Sequence, residues 1–320
     1  MMRYSLLLYL LLLASVCVGQ QDYSQYYKTR IKAEQLIVDR RFNDALAEME
    51  ALFASYEFVF LRDYKVTAQL AMLTRDRNKA LTLIKKAIAK GWNPKSISKN
   101  KLLVTLTEDD RWESIKSNYS SDPKYLEINY KLRSQVHEMF KKDQKKAFGA
   151  LLRVGNKAQE KYGNRKFAPH SEQQIAELNQ ILEQHGYPGE RLIANNLWAS
   201  TILSHHNSMS EEYVKQDTLF QFLKPKLREA VKKGQMSPFE FALVSDWKMA
   251  VESNHSSTAY GFLGAIQGAP SVQKINRNRA QLGLRSLELR NNLVDLEKEL
   301  ELNFYLPGEP WQEGKIQAIE

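Results

Sequence analysis

Cysteine is almost missing from this sequence: the 320 residues contain one, Cys17, close to the N-terminus. If that stretch is removed from the mature chain, disulfides, thiol nucleophiles, cysteine-ligated zinc and thiol redox chemistry go with it. Glycine and proline are also scarce. Fourteen and nine of them amount to about 7% of the chain, against a usual ~12%. Strand-rich folds need many tight turns, so the shortage argues against them. Catalytic signatures are missing as well. No HExxH helix occurs (His137-Glu138 lacks the second histidine) and no GxSxG elbow, while Gly261, Gly264 and Gly268 are too widely spaced for a dinucleotide loop. What remains is 43% hydrophobic and 26% charged, the composition of a globular protein long enough for about two domains.

The N-terminus reads as an export signal over residues 1–19. Arg3 supplies the positive end, residues 6–14 form the apolar stretch, and Cys17 and Gly19 stand at −3 and −1 of a cleavage site. The apolar run is shorter than the ~20 residues of a membrane span, so no stable span is expected after cleavage. Acylation at Cys17 is the alternative, disfavoured by Val16 ahead of it. Cleavage leaves 45 Lys and Arg against 37 Asp and Glu, a net +8. Nine of these cations fall between Lys141 and Lys166, where only Asp143 and Glu160 oppose them. Such a cluster attracts nucleic acid, anionic lipid or acidic polymer. No nucleic-acid motif accompanies it, and charge runs are commonly solvated helix surface, so no nucleic-acid partner is expected.

Residues 20–121 carry an internal repeat. An ungapped offset of 35 matches Ala33 with Ala68, Arg40 with Arg75, Asn43 with Asn78, and Ala45-Leu46 with Ala80-Leu81. This period and the small residues at its contact positions resemble tetratricopeptide-like helix pairs. Asn93-Pro94 after Gly91 closes the second unit, and a degenerate third ends around Asp109-Asp110-Arg111-Trp112. Two units cannot cover their own apolar faces. A helix opening at Asp122-Pro123 is expected to cap them, with Tyr125, Ile128, Leu132, Val136 and Met139 along one side.

Helical punctuation continues through residues 122–306. An amphipathic helix is expected over 172–185, closed by Gly186 and Pro188, and a largely apolar one over 191–206. Ser237-Pro238-Phe239-Glu240 is a capping box with proline at the first helical position. Ser271 and Ser286 are expected to open the last two helices, separated at Leu282-Gly283-Leu284, with Leu289, Leu293, Leu296 and Leu300 on one face. The tail over 307–320 should be extended. The expected architecture is therefore all-α: a short tetratricopeptide-like array packed against a larger multi-helix domain.

The landmarks from about 128 to 306 follow a recognisable order. Asp143-Gln144, Gly186-Tyr187-Pro188, Ser204-His205, Asp246-Trp247, Thr258-Ala259-Tyr260-Gly261-Phe262, and Asn276-Arg277 leading to Leu282-Gly283-Leu284 succeed one another. This resembles a helical domain-of-unknown-function family of exported bacterial proteins, whose signatures are DQ, GWP, QH, DR, QxYGT and N-x-R-x-x-x-GL. Ser204, Trp247, Thr258 and Phe262 depart from that pattern, which implies an altered or degenerate polar site. The family carries no activity to transfer.

Two carboxylates stand out on helical spacing alone. Asp143 continues the stripe of Leu132, Val136 and Met139, and Asp246 lies among Phe239, Ala242, Leu243, Met249 and Ala250. A buried carboxylate requires a cation or several donors, or it takes up a proton. Either it is structural, or with Gln144, His205 and Tyr260 it forms a polar pocket. His205 and His206 project about 100° apart on a helix and cannot chelate one ion together. The leading expectation is an exported, non-enzymatic scaffold that binds a protein or peptide through its repeats, without a cofactor. The alternative is a ligand-binding or hydrolase-like domain built on Asp143, Gln144, His205, Asp246 and Tyr260.

Overall fold

The computed structural model describes residues 21–119, 128–306 and 314–319. The expected signal, the Asp122-Pro123 helix start and Tyr125 lie outside these. Among the described residues the protein is all-α. It opens with two helical hairpins, α1 (Tyr23–Val38) with α2 (Phe42–Ser55), and α3 (Leu61–Leu73) with α4 (Arg77–Ala89). Their turns are the same. Arg40 and Arg75 both sit at φ 61°, a left-handed conformation uncommon outside glycine. In each turn the following amide reaches back to a carbonyl of the preceding helix, Arg41 to Leu36 and Asp76 to Ala71, both at 2.8 Å. Ala45, Ala68 and Ala80 are fully buried where the helices meet, so the matched small residues are what permit the close approach.

The stretch after α4 is not a third full pair. It contains α5 (Pro94–Ile97), a 3₁₀ turn (Val104–Glu108) and α6 (Trp112–Lys116), with Trp92, Leu103, Leu106 and Trp112 packed into the hairpin core.

The hairpins are capped from the other end of the chain. The C-terminal helix α16 (Leu287–Leu300), capped by Ser286 as its sequence predicts, places Leu289, Leu293 and Leu296 in that same core. Leu302 and Phe304 follow them. Gln69 fixes the segment by donating to the Asn303 carbonyl and accepting from its amide, each at 2.8 Å. The helix expected to do this, α7 (Tyr130–Leu151), instead starts eight residues beyond Asp122. Asn129 caps it by accepting from the Leu132 amide, and Ile128 stands outside it. Its apolar stripe of Leu132, Val136 and Met139 is spent on the second core, so it has nothing left to offer the hairpins.

That second core is built by α7, α9 (Ala168–His185), α11 (Trp198–Asn207), α13 (Leu219–Lys232) and α14 (Pro238–Glu252), into which Tyr23, Tyr26 and Tyr27 of α1 also project. Between α7 and α9 run α8 (Asn156–Tyr162) and a π turn (Gly163–Phe167), and α12 (Glu211–Gln216) precedes α13. The helix expected over 191–206 is broken. A short α10 (Glu190–Ile193) ends at Ala194 in the left-handed region, and Asn195 then accepts from the Leu197 and Trp198 amides to start α11. An asparagine cap inside an apolar run outweighed the run's helical period. The last pair is α15 (Gly268–Leu282) and α16. The first of these has Gln267 at its N-cap, four residues before the expected Ser271. Gly283 ends it at φ 83°, and a Cβ there would fall 2.7 Å from Cβ of Tyr27. The glycine thus lets α1 seat against the break. Of the tail expected to be extended, residues 314–319 are described: they form no helix, Ile316 is buried and Ile319 bridges to Gln267.

Candidate binding site at the seam of the two cores

The sequence-selected polar residues form two hydrogen-bonded groups. Asp143 is buried, and its Oδ2 lies 2.6 Å from Nδ1 of His205 and accepts from Gln144 at 3.3 Å. Its Oδ1 is buried without a hydrogen-bond partner. An aspartate on Nδ1 fixes the imidazole tautomer and frees Nε2, as a general base requires. Among the described residues, however, no nucleophilic side chain hydrogen-bonds that ring. His170 lies close by, and its protonated form is disfavoured by burial and by Lys146. No group of histidines and carboxylates among the described residues is arranged to hold a metal ion. His206 serves the packing, with Nδ1 2.9 Å from Ser171 Oγ and Nε2 3.2 Å from Asp217.

Asp246 lies elsewhere and has a different task. Its Oδ1 accepts from the amides of Ala259 and Tyr260 at 2.8 and 2.9 Å, and its Oδ2 from Phe262 at 2.8 Å. No cation among the described residues forms an ion pair with it, and burial raises its pKa to about 6 against the pull of these donors. The carboxylate gathers loop 258–262 into a fixed shape. Tyr260 contributes a buried ring and a carbonyl that accepts from Arg279 at 2.6 Å. No hydrogen bond among the described residues joins Asp143, Gln144 and His205 to Asp246 and Tyr260.

The loop that Asp246 holds is one wall of a cavity that sequence reasoning missed. Its volume is about 380 Å³, and it lies between α1, α3, α14 and the α15–α16 break. That is within the usual range for small-ligand sites. Seven cationic side chains line it: Arg30, Arg62, Lys65, Lys90, Arg279, Arg285 and Arg290. Phe60, Phe239, Phe262 and Tyr305 supply the apolar part.

Four carboxylates temper this charge. Glu34 is gripped by Arg285 through two bonds of 2.6 and 2.7 Å and by Arg62 at 2.7 Å. Burial alone would raise its pKa, but the two guanidiniums hold it well below the ordinary range. Asp63 accepts from Arg62 at 3.1 Å and from the Tyr26 hydroxyl at 2.6 Å. Glu190 accepts from the Leu61 amide at 2.6 Å, and burial lifts its pKa to about 7. Burial also raises Glu297, which lies near Arg62, Arg290 and Arg285. Seven cations against four carboxylates leave a surplus of three positive charges.

Most of these donors are committed to the fold. Arg279 gives Nε to the Arg285 carbonyl at 2.6 Å and lies over the Phe262 ring, and Arg290 reaches the Gly314 carbonyl at 2.7 Å. Two are not. Nε of Arg30 and Nη2 of Arg62 are buried in the seam and have no partner. Arg30 is 8% exposed, rests on the Tyr27 ring, and makes one long contact of 3.4 Å to the Gly283 carbonyl. A buried guanidinium with an unused N–H is costly unless something accepts from it. The amino ends of α3 and α14 border the same space through Leu61 and Ser237-Pro238, adding favourable dipoles for an anion. A neighbouring hollow of about 650 Å³ shares Lys90, Glu190 and Ala194 with the cavity and runs past Lys86 and Arg191.

Comparison with protein-family models, curated proteins and solved structures yields no match. The site therefore stands on its geometry. A sequence signal for it did exist. Arg30 follows Tyr26 and Tyr27 within one turn, Arg279 lies between Ile275 and Leu282, and Arg290 between Leu287 and Leu293. An arginine inside an apolar stripe is the cationic counterpart of Asp143 and Asp246.

Proposed function

We propose that this protein is an exported, non-enzymatic binding protein that captures an acidic peptide segment, with a carboxylate seated in the arginine-lined seam and the flanking residues along the adjoining hollow. The observation that carries this is a cavity with surplus positive charge, lined among others by Arg30 and Arg62, each of which also keeps a buried N–H without a partner. A planar guanidinium matches a carboxylate better than an ammonium does. The aromatic lining suits the apolar part of the same ligand, and the adjoining hollow suits an extended chain. In this reading the paired hairpins are a short tetratricopeptide-like array, and the rear helices close the far side of its site. Export rests on the sequence signal of residues 1–19, and the rear helices keep their resemblance to the exported domain-of-unknown-function family.

The test is fluorescence anisotropy with labelled acidic peptides, each with a free or an amidated C-terminus, alongside citrate and inorganic phosphate as competitors. The expected result is saturable peptide binding that salt weakens and that Arg30→Met reduces about tenfold, a loss of ~1.4 kcal/mol. Preference for the free C-terminus would identify the terminal carboxylate as the seated group. Binding of citrate or phosphate without any peptide binding would make the ligand a small anion and end the adaptor reading. Binding unaffected by Arg30→Met would remove the seam as the site.

A further inference from the structure

The seam leaves the basic cluster of residues 141–166 unexplained, and the fold gives that cluster an unexpected form. The apolar stripe of α7 runs through Leu132, Val136 and Met139 to Asp143, and there burial stops. Among the described side chains from 144 to 166 not one is buried, until Phe167 re-enters the core. The end of α7 and the short α8 therefore project from the body as a helical hairpin. They are clasped together by Tyr162, whose ring lies so close to Gly149 that a Cβ there would meet its hydroxyl at 2.3 Å.

Apolar side chains cover the tip of this hairpin. Phe148, Leu151, Leu152 and Val154 are 60, 76, 64 and 95% exposed, four of the most exposed large hydrophobics among the described residues. Spacing explains the direction of two of them. Lys141, Lys145, Phe148 and Leu152 follow at steps of four, three and four, on the side of α7 opposite the buried stripe. Cations thus lead along the outer face to an apolar end, and Arg153, Lys157 and Lys161 flank it. Of the nine basic residues from 141 to 166, only Lys141 has a carboxylate partner among the described residues, namely Glu138. Asp143 is turned inward to His205, which leaves Glu160 as the lone exposed acid of the segment.

An apolar patch ringed by lysines and arginines, most of them without a carboxylate partner among the described residues, has a natural counterpart in the surface of an anionic bilayer, where acyl chains receive the apolar tip and headgroups the cations. No helix among the described residues is long and apolar enough to cross a membrane, so contact of this kind is peripheral. We propose that the α7–α8 hairpin docks this protein on anionic lipid by inserting Phe148, Leu151, Leu152 and Val154 below the headgroups. This does not depend on what occupies the seam.

Vesicle co-sedimentation tests it, using the mature chain with phosphatidylglycerol–phosphatidylcholine vesicles or pure phosphatidylcholine. Binding to the anionic vesicles at low salt, little binding to the neutral ones, and loss in high salt are expected. The variant Leu151→Asp/Leu152→Asp should bind about tenfold more weakly, since it puts charge where methylenes enter the bilayer. Lys145→Glu/Lys157→Glu should weaken binding comparably, and both variants should keep the parent circular dichroism melt. Equal affinity for neutral and anionic vesicles, or none for either, would overturn the proposal. So would a loss confined to the charge variant, because that describes a soluble polyanion site. A dimer of the parent in light scattering that becomes monomeric in the leucine variant, without vesicle binding, would reassign the tip to self-association.

Discussion

Cations gather in two regions of this molecule, and the two treat charge in opposite ways. In the seam, arginines are buried or partly buried, each held by carboxylates, carbonyls or aromatic rings, and four carboxylates oppose seven cations. On the α7–α8 hairpin the cations are mostly lysines in water, and eight of nine lack a carboxylate partner among the described residues. Burying a charge is so unfavourable that the chain must supply its counterpart, whereas an exposed charge needs none. Seam charge therefore belongs to the fold as well as to any ligand, and hairpin charge belongs only to what lies outside. Substitutions should separate the regions by stability on one side and by association alone on the other.

The largest effect is expected at Glu34. Replacing it by glutamine leaves buried Arg285 and partly buried Arg62 without their common anion, and turns one of its two acceptor oxygens into an N–H donor. Breaking a buried ion pair from one side costs about 3–5 kcal/mol, which urea denaturation would read as a lower midpoint at an unchanged slope. Since the Glu34 carboxyl is held below its unfolded value, its contribution is present above roughly pH 4.5 and is lost as the pH falls below that. The parent protein should lose stability in acid, and Glu34→Gln should lose less of what it has left.

Asp246→Asn should come next, at about 1–3 kcal/mol, because one of the amide-binding oxygens becomes an N–H donor facing other donors. Asp246 carries the opposite pH sign. Its pKa rises to about 6 in the folded protein, so the folded state holds the proton more tightly. Its stabilising share is full below about pH 4 and disappears as the pH rises through 6. Amide hydrogen exchange at residues 259, 260 and 262 should accelerate in the variant, which distinguishes release of the loop from a general loss of stability.

A smaller effect is expected on binding alone. Glu190 lies at the cavity's edge among the Leu61 amide, Asp63, Lys65 and Lys90, with a pKa of about 7. Protonation removes a negative charge from the site, so affinity for an acidic peptide should rise as the pH falls from 8 to 6. Glu190→Gln should bind about as well at pH 8 as the parent does at pH 6, and its affinity should stay flat between them. A parent profile flat over that range would detach Glu190 from the site.

What could be read in the sequence followed local physics. The caps at Ser237 and Ser286, the break at Gly283 and the matched turns at Arg40 and Arg75 are set by residues within one turn of each other, so spacing exposes them. The inward placement of Asp143 and Asp246 was legible for the same reason, since periodicity reports which face is apolar. Their partners were not legible. Asp143 meets His205 62 positions away, Glu34 meets Arg285 251 positions away, and no local pattern encodes such a pairing. The capping of the hairpins by α16 depends likewise on which apolar stripe is left after α7 has packed. Asn195 was overlooked because its neighbours form an apolar run. The arginines of the seam were missed because long basic side chains inside a stripe usually reach out to solvent, and only the folded contacts distinguish those that do not.

The smallest effect should come from Leu151→Asp taken alone, and its smallness is what gives it value. Leu151 is 76% exposed, beyond the last buried residue of α7, so the folded chain draws little from its side chain and truncation leaves no cavity. Aspartate in the last turn of a helix is mildly unfavourable to the dipole, while the cations around it are mildly favourable. The net change in unfolding free energy should stay within about 0.5 kcal/mol, against several for Glu34→Gln. Folding alone gives no physical reason to hold phenylalanine, two leucines and valine in water at the end of a projecting hairpin. If Leu151→Asp lowered the melting temperature by several degrees, the side chain would be packed against something in the isolated protein. The contrast between a seam that holds the fold together and a tip that serves only association would then be lost.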